Sequence, residues 1–163
     1  LGFHRDASSL LYNLQQSDPE LVHDTLVVDF NVALHDAIAA TGAHVHYGDL
    51  SNSETLHHIV FIFSKIVVCT IPDDLLRGIK NRSLVRVVRH INPGAIIIAN
   101  AVSLDEVKAI YHAGANYVYL SRFEAAQNLE EAVHEALKDR IDVFREMSAR
   151  RNWYTEDRRE VLK

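Results

Sequence analysis

The sequence predicts an α/β fold in which helices cover both faces of an open, doubly wound parallel sheet. Short runs of apolar, largely β-branched residues recur along the chain, and a helical pattern separates each run from the next. The runs are mostly continuous rather than alternating, which is typical of strands buried on both faces. Strands are expected at residues 25–30, 43–48, 65–71, 95–101 and 116–120.

Four stretches between and beside these runs have helical spacing. In residues 31–42 the apolar side chains fall near one face, and Gly42 offers a C-terminal cap. The stretch at 73–92 ends in an Asn-Pro-Gly sequence that cannot continue a helix. The other two helices are expected at residues 51–63 and 103–114.

The pattern changes at Ser121, where apolar residues spaced three or four apart form one stripe. The stripe runs through Phe144 and predicts a long C-terminal helix, followed after Met147 by a charged, frayed tail. We therefore expect a sheet domain at 1–122, with its first strand missing or truncated, and a helix with a charged tail at 123–163. The helix is longer than one small sheet needs, which favours a role in dimerisation or connection over simple coverage of its own sheet.

Composition excludes several classes of protein. The chain has 163 residues, of which 48% are hydrophobic, so it can bury a sizeable core. Its 22 acidic and 17 basic residues give a net charge of −5, which argues against a nucleic-acid partner. The single cysteine, Cys69, lies in an apolar run and is expected to be a buried hydrophobe. No apolar run is long enough to span a membrane, so the segment itself is expected to be soluble.

The opening stretch LGFHRDASSLL has two interpretations. If LVVDFN is the second strand of a Rossmann-like sheet, Asp29 stands where such folds bind a ribose hydroxyl, and Gly2 falls in the glycine-rich turn. His4 and Asp6 bring a side chain and a negative charge to the phosphate position, which favours a mononucleotide, an adenosine-like ligand or an empty site. In the other interpretation, Asp6 or Ser8 only caps a helix.

Further motifs follow in order along the chain: VVDFN, ATGAHVHYGDL, KIVVCTIPDD, INPGAIIIANA and AGANYVYL. Over about residues 1–125 the sequence resembles the TrkA-N type domain, the nucleotide-binding half of the RCK regulators of potassium conductance. It looks most like the cytosolic domains of cation:proton antiporters, including the glutathione-regulated potassium-efflux systems. The resemblance implies a Rossmann-like fold that binds AMP or NAD(H).

The resemblance also implies a set of site residues at the switch point of the sheet. The N-terminal loop would meet the phosphate, Asp29 would hold the ribose, and Asp49 would accept a hydrogen bond from the exocyclic amine of adenine. The loop after the third strand would border the adenine, and the end of the fourth strand would line the crevice. The residues implied are Gly2, His4, Arg5, Asp29, Asn31, Asp49, Leu50, Thr70, Ile71 and Pro72.

The sequence departs from the family pattern at two places. Many relatives carry an arginine at the end of the fifth strand, where it can meet a phosphate, and this chain has the uncharged Asn100. The strand that would precede Gly2 is also absent from the sequence, so either it lies upstream or the sheet lacks its central strand.

Metal binding and catalysis are weighed against simpler explanations. His44 with His46, and His57 with His58, are the closest histidine pairs, but no cysteine or acidic cluster completes a zinc site, so no metal is expected. The pair Asp73-Asp74 is more simply a helix cap than an acid/base pair. The length leaves no room for the substrate domain of a dehydrogenase, so we expect no enzyme and no catalytic residue.

The function expected from the resemblance is regulation of ion transport. The chain would be a homodimeric regulatory domain of a monovalent cation:proton antiporter, at the cytoplasmic face of the cell membrane, responding to AMP or NAD(H). Its partner would be the membrane transport domain of the same polypeptide or assembly, and no nucleic acid. The alternative is a degenerate Rossmann module with a structural or dimerisation role and no nucleotide binding. A soluble oxidoreductase ranks third.

Overall fold

Five parallel strands form the sheet of the computed structural model, which describes residues 1–52, 56, 63–73, 79–151 and 158–162. Within these residues, the first two strands pair with each other, and the other three form a second group. All five predicted strands are present, and the predicted α/β fold class is confirmed. The strands are β1 (Leu26–Asp29), β2 (His44–Tyr47), β3 (Ile66–Cys69), β4 (Ile96–Asn100) and β5 (Tyr117–Tyr119).

Leu1 and Gly2 lie between the two groups of strands and bond to both. The Leu1 amino group donates to the Val68 carbonyl of β3 (2.5 Å), and the Thr70 N–H donates to the Leu1 carbonyl (3.3 Å). On the other side, the Gly2 N–H donates to the Val28 carbonyl of β1 (2.8 Å). The spatial order is therefore β2, β1, the Leu1–Gly2 segment, β3, β4 and β5, which is the order of a doubly wound dinucleotide-binding sheet.

Helices flank the strands in the described part of the chain. A short 3₁₀ turn at Val32–Leu34 leads into the third of them. The helix predicted at 51–63 and the first part of the one at 73–92 fall largely outside the described residues. The helices are α1 (Arg5–Ser17), α2 (Pro19–His23), α3 (His35–Ala39), α4 (Asn81–Ile91), α5 (Leu104–His112), α6 (Ser121–Ala136) and α7 (Ile141–Arg151).

The buried apolar residues form two clusters, one in each half of the sheet. The larger cluster includes Val88, Ile97 and Ile110 and joins β3 and β4 to α4 and α5. The smaller cluster packs α1 and α3 against β1 and includes Leu11 and Ile38. Full burial of each such side chain stabilises the fold by about 1.5–3 kcal/mol.

Cys69 lies in the larger cluster, as the sequence predicted. Its side chain is fully buried, and burial raises the pKa of the thiol from its ordinary value of 9.0 to about 11. The thiol therefore stays protonated at neutral pH and behaves as a small hydrophobe.

The C-terminal apolar stripe forms two helices, so the prediction of one long continuous helix is wrong. Helix α6 ends where Asp139 adopts a left-handed backbone (φ 56°). The Arg140 N–H then donates to the Glu135 carbonyl (2.9 Å) and the Asp139 N–H to the Ala136 carbonyl (3.0 Å), which is a Schellman motif. The side chains of Lys138 and Arg140 both bond to the Glu135 carboxylate, and these bonds lower its pKa.

The segment Arg158–Leu162 packs on α1, so the prediction of a frayed tail is wrong for these residues. The Leu162 N–H donates to the buried Ser8 hydroxyl (2.8 Å), and the Leu162 side chain contacts the smaller cluster. The Arg158 guanidinium lies 4.3 Å from the centre of the Tyr12 ring, within cation–π range. These contacts hold the segment against α1.

Within the described residues, no helix has both the length and the apolar character needed to cross a membrane.

Arg89 on α4 joins two loops at the amino-terminal edge of the sheet, the one before β4 and the one before β5. Its guanidinium donates to the Gly114 carbonyl (2.8 Å from Nη2), to the Pro93 carbonyl (2.7 Å) and to the Ala95 carbonyl (2.8 Å). It also donates to the Asn116 side chain (2.8 Å), which in turn accepts from the backbone of β4. This one side chain therefore satisfies several acceptors that would otherwise lack a donor.

We expect the substitution Arg89→Met to lower the free energy of unfolding by about 2–4 kcal/mol, because it leaves partly buried carbonyl groups without donors. The matched control is Arg86→Met, an exposed arginine one turn earlier on the same helix, for which the change should stay within about 0.5 kcal/mol. Urea unfolding followed by circular dichroism measures both. Equal losses in the two variants would contradict this role of Arg89.

Candidate functional site

The turn that begins the chain is pressed against the end of β3. Gly2 has φ 72°, and a Cβ built there would lie 2.0 Å from Cδ1 of Ile71, so only glycine fits. The buried Thr70 hydroxyl donates to the Gly2 carbonyl (2.7 Å). Thr70 and Ile71, both predicted to line the crevice, therefore turn inward and position this loop.

Asp29 holds the same loop from the β1 side. Its side chain is buried, with Oδ2 accepting from the Phe3 N–H (2.6 Å) and Oδ1 accepting from the Asn31 N–H (2.7 Å). Its backbone carbonyl accepts from the Gly48 N–H (3.2 Å), which brings in the loop after β2. A carboxylate has about four acceptor positions, and these two bonds use two of them, while only 2% of the residue is exposed. Asp29 therefore lies where the sequence predicted, with part of its bonding capacity used by the fold.

Helix α1 begins at this edge of the sheet. His4 is its N-cap residue, with an extended backbone and no capping bond from its side chain. Arg5 follows in the first turn and is exposed. Neither Asp6 nor Ser8 caps the helix. Ser8 lies in its second turn, where its buried hydroxyl accepts from Leu162, and the Asp6 carboxylate accepts from Ser121. The capping interpretation is therefore wrong. The free N–H groups and the dipole at this end favour an anion.

The remaining predicted residues lie at the rim or in the core. Asp49 is exposed, and the Ser51 N–H (2.9 Å) and hydroxyl (2.7 Å) both donate to its Oδ1. These hydrogen bonds lower the pKa of Asp49, so it is ionised at neutral pH. Asn31 is exposed and accepts from the Ala33 N–H (3.2 Å) at the start of the 3₁₀ turn. Leu50 is buried in the larger cluster.

The end of β3 continues into residues that organise the next helix. Pro72 is half-buried directly after Ile71. Asp73 Oδ1 accepts from the N–H of Asn81, the first residue of α4 (2.6 Å). The N-cap residue of α4 is Lys80, and the helix start directly after Asp73, which the sequence predicted it to cap, falls outside the described residues. Asp74, the other member of the predicted pair, lies outside the described residues.

Sequence reasoning missed a polar cluster on the β4–β5 side of the loop. The Ser121 hydroxyl donates to Asp6 Oδ2 (2.8 Å), and the Tyr119 hydroxyl approaches the same oxygen (3.5 Å). The Asn100 side chain bonds to Tyr119, while its own Oδ1 is buried with no partner among the described residues. Burial, and then the charge of Asp6, raises the pKa of Tyr119. The sequence held one signal of this cluster, since Tyr119 ends a predicted strand and therefore lies at the carboxyl edge of the sheet.

Among the described residues, no group of three or more histidine, cysteine or acidic side chains could hold a metal ion. His44 and His46 are both exposed on β2. His57 and His58 lie outside the described residues.

Comparison with known proteins identifies the family of this chain. Residues 1–121 match the sequence profile of the TrkA-N domain family. The chain belongs to this family. No curated protein matches it in sequence.

Solved structures share the fold of this TrkA-N domain. The TrkA-N domain of the inner membrane protein ybaL from Escherichia coli is 29% identical, with a TM-score of 0.66 over 80% of this chain and 90% of that one. An NAD(P)-binding domain of an exopolyphosphatase-related protein from Archaeoglobus fulgidus is 17% identical (TM-score 0.65, 81% and 92% covered). GsuK bound to ADP is 20% identical (TM-score 0.55, 73% and 29% covered). At 17–20% identity the last two show the fold alone.

We expect Gly2→Ala to destabilise the domain by about 3 kcal/mol or more, because the new methyl group meets Ile71 and the backbone is left-handed. Gly94→Ala is the control, since the nearest atom to its Cβ would be 3.8 Å away. That variant should be unchanged or stabilised by up to about 1 kcal/mol. Thermal unfolding measures both variants, and a Gly2→Ala protein as stable as the wild type would contradict the geometry.

Proposed function

We propose that this TrkA-N domain is a regulatory nucleotide-binding domain of a monovalent cation:proton antiporter. The observation that carries the proposal is the meeting of three features at one edge of the sheet. These are the N-terminus of α1, the buried carboxylate of Asp29 and the exposed, ionised carboxylate of Asp49. The edge is the topological switch point, where open α/β sheets bind their ligands.

The ligand we propose is an adenine nucleotide, AMP or NAD(H). Asp29 faces the ribose hydroxyls with its remaining acceptor positions, and the first turn of α1 faces a phosphate. Asp49 Oδ2 is the oxygen we assign to the exocyclic amine of adenine, because the bonds from Ser51 both go to Oδ1. Structures of GsuK bound to NAD and bound to ADP support a nucleotide in this fold.

The proposed partner is the membrane transport domain of the same polypeptide or assembly, with this domain at the cytoplasmic face of the membrane. The likeness to a domain of the inner membrane protein ybaL supports this placement. GsuK is a channel, and the chain spans 18% of the length of the channel bound to NAD. A nucleotide regulates transport only if it binds one arrangement of the assembly better than another. The domain itself is given no catalytic residue.

A homodimer formed through α6 and α7 is part of the proposal. No residue of these two helices is buried, and large apolar side chains such as Leu129, Val133 and Met147 are more than half exposed. An open cavity of about 420 Å³ between the helices is partly lined by Phe144 and Met147. Helix α6 carries four glutamates and one arginine, whereas α7 carries three arginines, one aspartate and one glutamate. A second copy packed with its α7 on this α6 would pair opposite charges and cover the apolar side chains.

A structural module that binds no nucleotide is the second candidate. The contacts of Asp29 and Thr70 favour it, because both side chains already bond to the N-terminal loop. Such a module would keep the fold and the dimer and lose the ligand.

Binding of AMP, ADP, NAD and NADH to the purified domain tests the two candidates. We expect heat of binding and a thermal shift with at least one of them. Because Asp49 accepts from the adenine amine, AMP should bind about tenfold more tightly than IMP, which lacks that amine. Asp49→Ala should remove this preference, and Asp36→Ala, an exposed aspartate on α3, should keep it.

The regulatory proposal is wrong if no nucleotide gives heat or a thermal shift at millimolar concentration. The assignment of adenine to Asp49 is wrong if the preference for AMP over IMP survives in Asp49→Ala. The antiporter assignment is tested by the reading frame that encodes this chain, where several upstream apolar segments of about 20 residues each would support it.

Light scattering of the wild type and of Leu129→Glu tests the dimer. We expect the wild type to be dimeric at micromolar concentration and Leu129→Glu to be monomeric, because a carboxylate would be buried against the partner. Leu21→Glu, an exposed leucine on α2, is the control and should remain dimeric. A monomeric wild type, or a dimeric Leu129→Glu, would overturn the proposed interface.

A further inference from the structure

The two halves of the sheet carry different polar groups beyond their strand ends at the carboxyl edge. In doubly wound folds each half forms one mononucleotide-binding unit, and a dinucleotide crosses from one to the other at the switch point. Here the β1–β2 half is bordered by the exposed residues Asn31 and Asp49. The strand ends themselves are buried in both halves, at Asp29 in one and at Thr70, Ile71 and Asn100 in the other. The halves differ in what lies beyond the strand ends, because on the β4–β5 side the side chain of Asp6 bonds to Ser121.

Asp6 forms the polar contacts on the β4–β5 side. It lies in the first turn of α1, one residue after the exposed Arg5, and its carboxylate bonds to the Ser121 hydroxyl at the start of α6 (2.8 Å). The Tyr119 hydroxyl at the end of β5 approaches the same oxygen (3.5 Å). These contacts join residues more than 100 positions apart and connect α1 to the end of β5 across the place where a second nucleotide half would lie.

The charge of this side opposes a second phosphate. Asp6 contributes a carboxylate, and the buried Oδ1 of Asn100 is an acceptor without a donor among the described residues. Phosphate oxygens need donors and positive charge, and acceptor atoms in a partly buried place repel them. Asn100 supplies no positive charge at the end of β4.

We propose that Asp6 is a specificity-determining residue that restricts this site to a mononucleotide, namely an adenosine with its phosphate at the start of α1. The inference rests on the proposed function and narrows its ligand. The second half of a dinucleotide would have to break the bond between Asp6 and Ser121 and place a phosphate beside the carboxylate. The preference for a mononucleotide over a dinucleotide thus comes from the hydrogen bond between Ser121 and Asp6 and from the negative charge of Asp6.

Calorimetric titration of AMP and NAD into the wild type, Asp6→Ser, Asp6→Asn and Ser121→Ala tests the proposal. We expect the wild type to bind AMP at least about tenfold more tightly than NAD. Asp6→Ser should raise the affinity for NAD and bring the ratio below about threefold, because it removes both the bridge and the charge. Asp6→Asn removes the charge alone and Ser121→Ala the bridging bond alone, so each should give an intermediate ratio. Thermal unfolding of each variant reports whether it is folded.

The outcomes separate this inference from the proposed function. If NAD binds the wild type as tightly as AMP does, the inference is overturned and the nucleotide site stands. If AMP is preferred and the ratio is unchanged in folded Asp6→Ser, Asp6 does not set the specificity and the inference is overturned. If neither ligand binds any folded variant, the proposed nucleotide site fails and the inference fails with it.

Discussion

The bond between the Asp29 carboxylate and the Phe3 N–H is the contact on which the candidate site depends. It fixes the loop after Gly2 against β1, while the Thr70 hydroxyl fixes the Gly2 carbonyl against β3. A buried carboxylate without donors would be costly, so the fold keeps the loop in place. The start of α1 and the junction between the two halves of the sheet are positioned by the same few bonds.

These bonds also limit what the site can do. Asp29 and Thr70 hold the loop with the polar atoms that the family resemblance assigned to a ligand. The Asp6 carboxylate links α1 to Ser121 at the start of α6. The β1–β2 side keeps Asp49 exposed and ionised. The proposed nucleotide site and the structural junction therefore share one set of residues, and affinity for a ligand would depend on the hydrogen-bonding positions that these contacts leave unused.

Local patterns predicted the features that depend on neighbouring residues. Most strands were predicted because a continuous apolar run is itself the signal of burial in a parallel sheet. The burial of Cys69 follows from such a run. Strand β2 differs, since it carries His44 and His46 and is largely exposed, contrary to the expected burial on both faces. The prediction of a single C-terminal helix was wrong because the apolar stripe continues past Asp139, where the backbone is left-handed and the chain leaves α6.

By itself, the sequence determined the α/β class, the positions of the five strands and the resemblance to TrkA-N domains, because apolar periodicity and short motifs act over a few residues. Only the tertiary structure decided which groups the polar side chains near the N-terminal loop contact. Ser8 meets Leu162 and Asp6 meets Ser121, pairs separated by 154 and 115 positions along the chain. No local pattern encodes such pairs, since they form when packing brings distant elements together. Neither residue caps the helix as the sequence suggested: Ser8 binds the C-terminal segment, and Asp6 links α1 to the start of α6.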